Sequence, residues 1–278
     1  MSEIHPPLAG VIGFPVGHTR SPVLHGHWLK RHNINGYYIP IGLSQPDFER
    51  GLRSLHLLGF RGVNVTLPHK APAISLADTV TDRAALIGAA NTLTFRADGS
   101  IRADNTDGFG FIQNIKQICP EWDVTLGPAL VLGAGGAARA VISALLTEGA
   151  PEIRLANRTR ARSEALKEHF GARVHPIDWN RASDATQGTA TIVNATSLGM
   201  VGQPELKLSL ALAPDKSVVV DIVYTPLETP LLAAARARGL RAVDGLGMLL
   251  HQAVPAFEAW FGIRPEVDDD LRRAVLGQ

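Results

Sequence analysis

Val131-Leu132-Gly133-Ala134-Gly135-Gly136-Ala137-Ala138 has the form G-x-G-x-x-A, directly after a run suited to a buried strand and directly before one suited to a helix. Each small residue has a physical duty there. Gly133 permits the tight turn, Gly135 leaves room for backbone to approach a pyrophosphate, and Ala138 lets the helix pack close to the sheet. The helix start then presents unsatisfied N–H groups and a positive dipole end to phosphates. Alone, a glycine turn is a weak signal. Strand, turn, helix and next strand in that order make it a dinucleotide cradle formed by Gly133, Ala134, Gly135, Gly136 and Ala137.

The end of the next strand indicates which dinucleotide. Sites for NAD carry an acidic residue there, about 20 residues past the glycines, to accept from the ribose 2′-hydroxyl. This chain reads Leu155-Ala156-Asn157-Arg158-Thr159-Arg160-Ala161-Arg162, with three arginines and no carboxylate. Planar guanidinium donors match a 2′-phosphate, which a carboxylate would repel. A merely solvated basic segment would put arginine at the unfavourable end of the helix dipole. NADP is therefore expected rather than NAD, with Asn157, Arg158, Thr159 and Arg162 around the phosphorylated ribose.

A second group of polar residues lies earlier. In Asn64-Val65-Thr66-Leu67-Pro68-His69-Lys70, Asn64 and Thr66 share one face of a strand. Lys70 follows at the strand's carboxyl edge, where open α/β sheets bind ligands. Asn105-Thr106-Asp107-Gly108 sits at a junction, Asp107 placed to cap the next helix. Taken by themselves, Asp107 reads as that cap and Lys70 as a surface charge.

Alternating elements must position these groups. Strands are expected at 8–13, 37–41, 62–67, 129–132, 153–156, 191–195, 217–224 and 241–243, with a hairpin of 91–95 and 100–104 around Asp98-Gly99. Helices are expected at 21–31 (Ser21 as N-cap before Pro22), 44–58, 72–77, 82–87, 108–118, 137–147, 160–169, 230–238, 248–261 and 268–276. Strands without strict polar alternation imply a sheet buried on both faces and largely parallel. The fold class is α/β in two lobes: residues 1–107 with the substrate, 108–243 as a doubly wound Rossmann-type lobe, and 244–278 as helices returning to the first.

Composition excludes several classes. The chain has 278 residues, 45% hydrophobic and 19% charged, too apolar for a disordered chain. Its net charge of +1 argues against a dedicated nucleic-acid binder. The single Cys119 can form neither an internal disulfide nor a Cys-based zinc site, which fits a reducing cytoplasm. His25 and His27, two apart on a helix, point away from each other, and no metal site is expected. The four tryptophans lack regular spacing and read as core anchors. Met1 to Pro7 show no basic stretch before an apolar one, so no signal peptide is expected, and no apolar run reaches the length of a membrane span.

In motif type and order the sequence resembles the shikimate dehydrogenases across essentially its whole length. The matching segments are Thr19-Arg20-Ser21-Pro22, 64–70, Gly88-Ala89-Ala90-Asn91-Thr92, 105–108, 133–138, Asn157-Arg158-Thr159, Asn194-Ala195-Thr196-Ser197, 221–224, and Asp244-Gly245-Leu246 with Gln252. The resemblance implies NADPH-dependent reduction of 3-dehydroshikimate to shikimate, with Lys70 and Asp107 as the catalytic pair. It implies Thr19 and Ser21 on the substrate carboxylate, Thr66, Asn91, Asp107 and Gln252 on the ring hydroxyls, and Asn64 and Tyr224 lining the same pocket. On the cofactor side it adds Thr196, Ile222 and Gly245. Thr19 stands where the family usually has serine, which keeps a donor and narrows the space beside the carboxylate. The expected partners are small molecules, with neither nucleic acid nor membrane, and the expected assembly a homodimer. The rivals are an NAD-dependent quinate or quinate/shikimate dehydrogenase and a non-catalytic NADP sensor.

Overall fold

The computed structural model describes residues 6–278; Met1–His5, part of the stretch read for a leader, lie outside the described residues. The chain divides into two compact units: residues up to Thr106 together with Gln252–Gln278, and Asp107–His251. Among the described residues no helix is long and apolar enough to cross a membrane.

The first unit contains β1 (Leu8–Gly13), α1 (Ser21–Arg31), β2 (Tyr37–Gly42), α2 (Phe48–Leu57), β3 (Phe60–Val65), α3 (Pro72–Ser75), β4 (Thr79–Val80), α4 (Asp82–Ile87), β5 (Thr92–Phe95) and β6 (Ile101–Asp104). The sheet order is β2-β1-β3-β5-β6-β4. β1 runs parallel to β2 and β3, whereas β5 is antiparallel to both β3 and β6. The carboxyl ends of β1, β3 and β6 and the amino end of β5 therefore share one edge of the sheet, and that edge carries the polar segments.

The second unit contains α5 (Asp107–Ile118), β7 (Ala129–Leu132), α6 (Gly136–Thr147), β8 (Ile153–Ala156), α7 (Arg160–Phe170), β9 (Val174–Ile177), β10 (Thr191–Asn194), β11 (Val218–Asp221), α8 (Pro230–Ala237), β12 (Arg241–Val243) and the start of α9 (Leu246–Phe261). Its six strands, ordered β12-β11-β10-β7-β8-β9, are all parallel. Fully buried Leu130, Val131, Leu132, Ile192, Val193 and Val219 supply core on both faces, the arrangement that the unbroken apolar runs imply. The boundary inside α9 lies later than the 243/244 boundary read from the sequence. The start of α9 stays with the second unit, where Asn114 Nδ2 donates to the Asp244 carbonyl at 2.7 Å and the His251 ring pairs with Gln117.

The rest of α9 and α10 (Asp269–Leu276) belong to the first unit. Trp260 Nε1 donates to the Leu93 carbonyl and Trp28 Nε1 to the Glu266 carbonyl. These two tryptophans are wholly buried anchors, while Trp122 and Trp179 are only half-buried. Asp268 caps α10 by accepting from Leu271 N–H at 2.9 Å. Edge strands β2 and β9 each carry a proline, Pro40 and Pro176, which deletes a ladder donor and blunts the edge against further pairing.

Several expectations need correction. Ser21 does not cap α1: Arg20 is the cap residue, without a side-chain bond, and Thr19 Oγ1 accepts from Ser21 N–H at 3.3 Å instead. Asp107 is the first residue of α5 rather than its cap. The helix read from residue 44 begins at Phe48, because Ser44 to Asp47 forms a turn closed by Ser44 Oγ on Asp47 at 2.7 Å. β3 lies two residues earlier than expected. β4 and β9 add to the expected strands: one has only two residues and the other holds a proline.

Candidate active site

In the first unit the predicted residues gather along the polar edge of the sheet. Beyond β3, the Lys70 carbonyl accepts from Ala90 N–H at 2.8 Å, so the loop carrying the lysine is tied to the segment carrying Asn91. Its neighbour His69 is wholly buried, stacks on Phe48 at 4.2 Å, and donates through Nε2 to the Leu43 carbonyl at 2.7 Å. That anchor leaves the loop between Thr66 and Lys70 little freedom. Thr66 is half-buried, its methyl over Gly13, where an added Cβ would approach to 2.5 Å.

Asn91 is the hub of the edge. Its Oδ1 accepts from Thr106 N–H at 2.9 Å, and its Nδ2 donates to Thr106 Oγ1 at 3.0 Å and to Gln252 Oε1 at 3.1 Å. Thr106 Oγ1 in turn donates to the Gln252 carbonyl at 2.8 Å. Asn91 and Gln252 thus satisfy each other in a side-chain bond that a ligand hydroxyl can replace. Thr106 has no role assigned from the sequence. Its place between Asn105 and Asp107 is the available signal, and its fixed backbone sets the position of Asp107 one peptide, about 3.8 Å, further on. Thr19 and Ser21 share a bond between hydroxyls at 3.2 Å beyond β1. Asn64, near the end of β3, is buried and bonded on every side.

Asp104 supports this edge from behind. It accepts from Asn105 N–H at 2.7 Å, Thr81 Oγ1 at 2.7 Å and Arg83 Nε at 2.6 Å. Burial acts to raise its pKa, but these donors outweigh it and hold the carboxyl below the usual carboxylate range. A depressed folded pKa stabilises above the ordinary carboxylate pKa, and that stability is lost as pH falls through the folded value. Arg83→Ala is therefore expected to cost about 1–2 kcal/mol at neutral pH, limited by the half-exposed guanidinium, with the gap from wild type closing once an acid pH protonates the folded-state carboxyl. Urea unfolding at both pH values checks this, and an equal gap at each would contradict it.

In the second unit the predicted cofactor residues follow the carboxyl ends of five parallel strands: Gly133–Ala137 after β7, Asn157, Arg158, Thr159 and Arg162 after β8, Thr196 after β10, Ile222 after β11, and Gly245 after β12; Tyr224, expected to line the substrate pocket, also follows β11. Strand order reverses between β10 and β7, the switch point where such sheets bind ligands. Gly133 sits there at φ 109°, its missing Cβ 2.8 Å from the Ala195 carbonyl oxygen. Gly135 and Gly136 are exposed, with nothing within 4 Å of an added Cβ. A tight turn closed by the protein and an open stretch at the start of the twelve-residue α6 is the shape that a pyrophosphate needs.

The Arg158 and Arg162 guanidinium groups are exposed, and neither side chain has a hydrogen-bond or ion-pair partner among the described residues. Arg160 differs from the sequence reading of three arginines awaiting an anion. It is held by Glu164 and by Asp178 at 2.5 Å, so its charge is already answered within the protein. Asn157 Nδ2 donates to the Thr159 carbonyl at 2.8 Å and shapes the turn that carries Arg158.

A buried carboxylate organises the remaining loops. Asp221 accepts from Asn194 Nδ2, Val223 N–H and Thr229 Oγ1 at 2.9, 3.0 and 2.7 Å. Burial pushes its pKa up, opposed by those three donors. Asn194 Oδ1 accepts from Thr196 N–H and Oγ1, so one network fixes the loops of Thr196, Ile222 and Tyr224. Its members fall in two short segments joined by the Asn194–Asp221 bond across 27 residues, so each segment is legible in the sequence and the bond between them is not. Among the described residues no cluster of His, Cys, Asp and Glu could hold a metal ion.

Comparison with known proteins places this architecture. Residues 11–93 match the family model for the shikimate dehydrogenase substrate binding domain, residues 116–226 that for shikimate / quinate 5-dehydrogenase, and residues 245–275 that for the shikimate 5′-dehydrogenase C-terminal domain. Shikimate 5-dehydrogenase from Thermus thermophilus, solved in complex with NADP(H) and shikimate, superimposes with a TM-score of 0.86 at 36% identity, covering 97% of this chain and 98% of that one. Quinate dehydrogenase from Corynebacterium glutamicum, solved with NAD, gives a TM-score of 0.90 at 32% identity over 98% and 99%. The shikimate dehydrogenase (NADP(+)) of Paracoccus denitrificans (strain Pd 1222) is 62% identical over 273 residues, 98% of this chain and 96% of its own. With such identity along nearly its full length, the chain belongs to the shikimate dehydrogenase family.

Proposed function

We propose that this protein catalyses the reversible, NADP-dependent reduction of 3-dehydroshikimate to shikimate. The observation that supports it most is the polar edge of the first unit, where the Lys70 carbonyl is tied to Ala90 N–H and the next residue's side chain, Asn91 Oδ1, to Thr106 N–H, one peptide from Asp107. Bound NADPH supplies the hydride for the carbonyl carbon. The chain's task is the accompanying proton. The Lys70 ammonium donates it to the carbonyl oxygen, and Asp107 orients the ammonium and shares the proton. Thr19 and Ser21 hold the substrate carboxylate. Thr66, Asn91, Asp107 and Gln252 bind ring hydroxyls, with Asn64 and Tyr224 lining the pocket; many modest bonds fix the orientation of a polyol.

Gly133–Ala137 hold the pyrophosphate, Asn157, Arg158, Thr159 and Arg162 the 2′-phosphate end, and Thr196, Ile222 and Gly245 the nicotinamide end. Nucleic acid is not among the ligands, in keeping with a net charge of +1. The cytoplasm is the expected compartment and a homodimer the expected assembly. A steady-state assay of reduced nicotinamide with shikimate and quinate, each with NADP and NAD, tests the reading. Shikimate with NADP is expected to give the highest kcat/KM, and turnover of quinate with NAD alone would refute it. Arg158→Ala is expected to raise the KM for NADP by about ten-fold or more while leaving that for NAD within about two-fold. Equal changes for both cofactors would remove Arg158 from the 2′-phosphate.

A further inference from the structure

Asn64 has no spare donor within the protein, and both of its amide groups face fixed partners. Its Nδ2 donates to the Asn91 carbonyl at 3.1 Å and to Thr92 Oγ1 at 3.2 Å, which uses both amide hydrogens. Its Oδ1 faces the Tyr38 hydroxyl at 2.7 Å. The orientation is fixed: a backbone carbonyl only accepts, so the nitrogen must face Asn91, the oxygen must face Tyr38, and Tyr38 must be the donor. Tyr38 is buried and stacks on His25 at 3.9 Å with the rings 4° from parallel. Burial keeps the phenol protonated, opposed by the Ser21 hydroxyl nearby, and pulls the His25 imidazole down to about 3, so both rings stay neutral.

We infer that Tyr38, outside every substrate or cofactor role assigned above, is a positioning residue for the substrate: its hydroxyl locks the Asn64 amide so that Asn64 meets a bound ring hydroxyl only as an acceptor. The inference rests on the proposed substrate class and deepens it. An acceptor-only group at that place favours a hydroxyl on the ring and disfavours a carbonyl or ether, whose oxygens have no hydrogen to give. Without the phenol hydroxyl the amide can turn, the acceptor is no longer fixed, and the loss falls on substrate binding rather than on the chemical step.

Tyr38→Phe keeps the ring and its stack on His25 and removes one hydroxyl. It is expected to raise the KM for shikimate about ten-fold, with kcat within about three-fold and the KM for NADP within about two-fold. In an Asn64→Ala background the same change is expected to add nothing further, because the residue it acts through is gone. A thermal melt of each variant confirms that it is folded. An unchanged KM for shikimate in Tyr38→Phe, or an equal increment in both backgrounds, would overturn the positioning role while leaving the activity intact. Absence of shikimate turnover by the wild-type chain would instead overturn the activity, and this inference with it.

Discussion

Lys70→Ala is expected to lower kcat by about 10³-fold, within the range that general acid–base catalysis contributes, while leaving the dissociation constant for NADP within about two-fold. The two readouts separate because the lysine and the cradle stand in different units of the chain: Lys70 follows β3 in the first, and the glycine turn follows β7 in the second. The loop should survive the change. It is held by the Lys70 carbonyl on Ala90 N–H and by the buried His69 ring on the Leu43 carbonyl, neither of which uses the lysine side chain. Stopped-flow or steady-state kinetics with fluorescence titration of NADPH measures both quantities. A kcat within ten-fold of wild type would remove Lys70 from the reaction, and a parallel loss of NADP binding would mean that the variant is misfolded.

The second large effect contrasts two glycines in one turn. At Gly133 an added methyl meets the Ala195 carbonyl oxygen at 2.8 Å and Thr196 Cγ2 at 3.0 Å, on backbone at φ 109°. Gly133→Ala is expected to cost about 2–4 kcal/mol, a fall of about 5–15 °C in Tm, from strain and collision within the protein itself. At Gly135 the backbone has φ −90° and nothing lies within 4 Å of the added methyl. Gly135→Ala is expected to leave Tm within about 2 °C yet weaken NADP about ten-fold or more, because the space it fills is kept for the pyrophosphate. Calorimetry and cofactor titration of both variants check the contrast. Unimpaired NADP binding by Gly135→Ala would contradict the cradle.

What the sequence makes legible follows from how local each signal is. β1, β7 and β8 coincide with their expected spans because each is a short apolar run closed by glycine or by a polar turn. The G-x-G-x-x-A turn is legible because its duties, tight turn, open backbone and close packing, all fall within six residues. β4 and β9 escape because two residues, or a strand with Pro176 in it, carry no periodicity. The Ser21 cap fails because Ser21 is already the first residue of α1, and the Leu24 N–H that its hydroxyl would have capped goes to the Arg20 carbonyl at 3.1 Å.

The site is legible as a list of residues and illegible as a network. Asn64 finds Tyr38 twenty-six positions away, and Asn91 finds Gln252 at a separation of 161. Such pairings come from sheet order and from the return of α9, which no window of sequence contains. Arg160 shows the opposite error. Its charge looks available for an anion until β9 brings Asp178 beside it at 2.5 Å.

On the proposed function, one ammonium and one carboxylate serve a single substrate oxygen. A crystal structure of the wild-type chain with shikimate and NADP tests it most directly. Lys70 Nζ and an Asp107 oxygen are each expected within about 3.2 Å of the same ring hydroxyl oxygen. A ternary complex in which that oxygen contacts neither side chain, or only residues outside this pair, would contradict it.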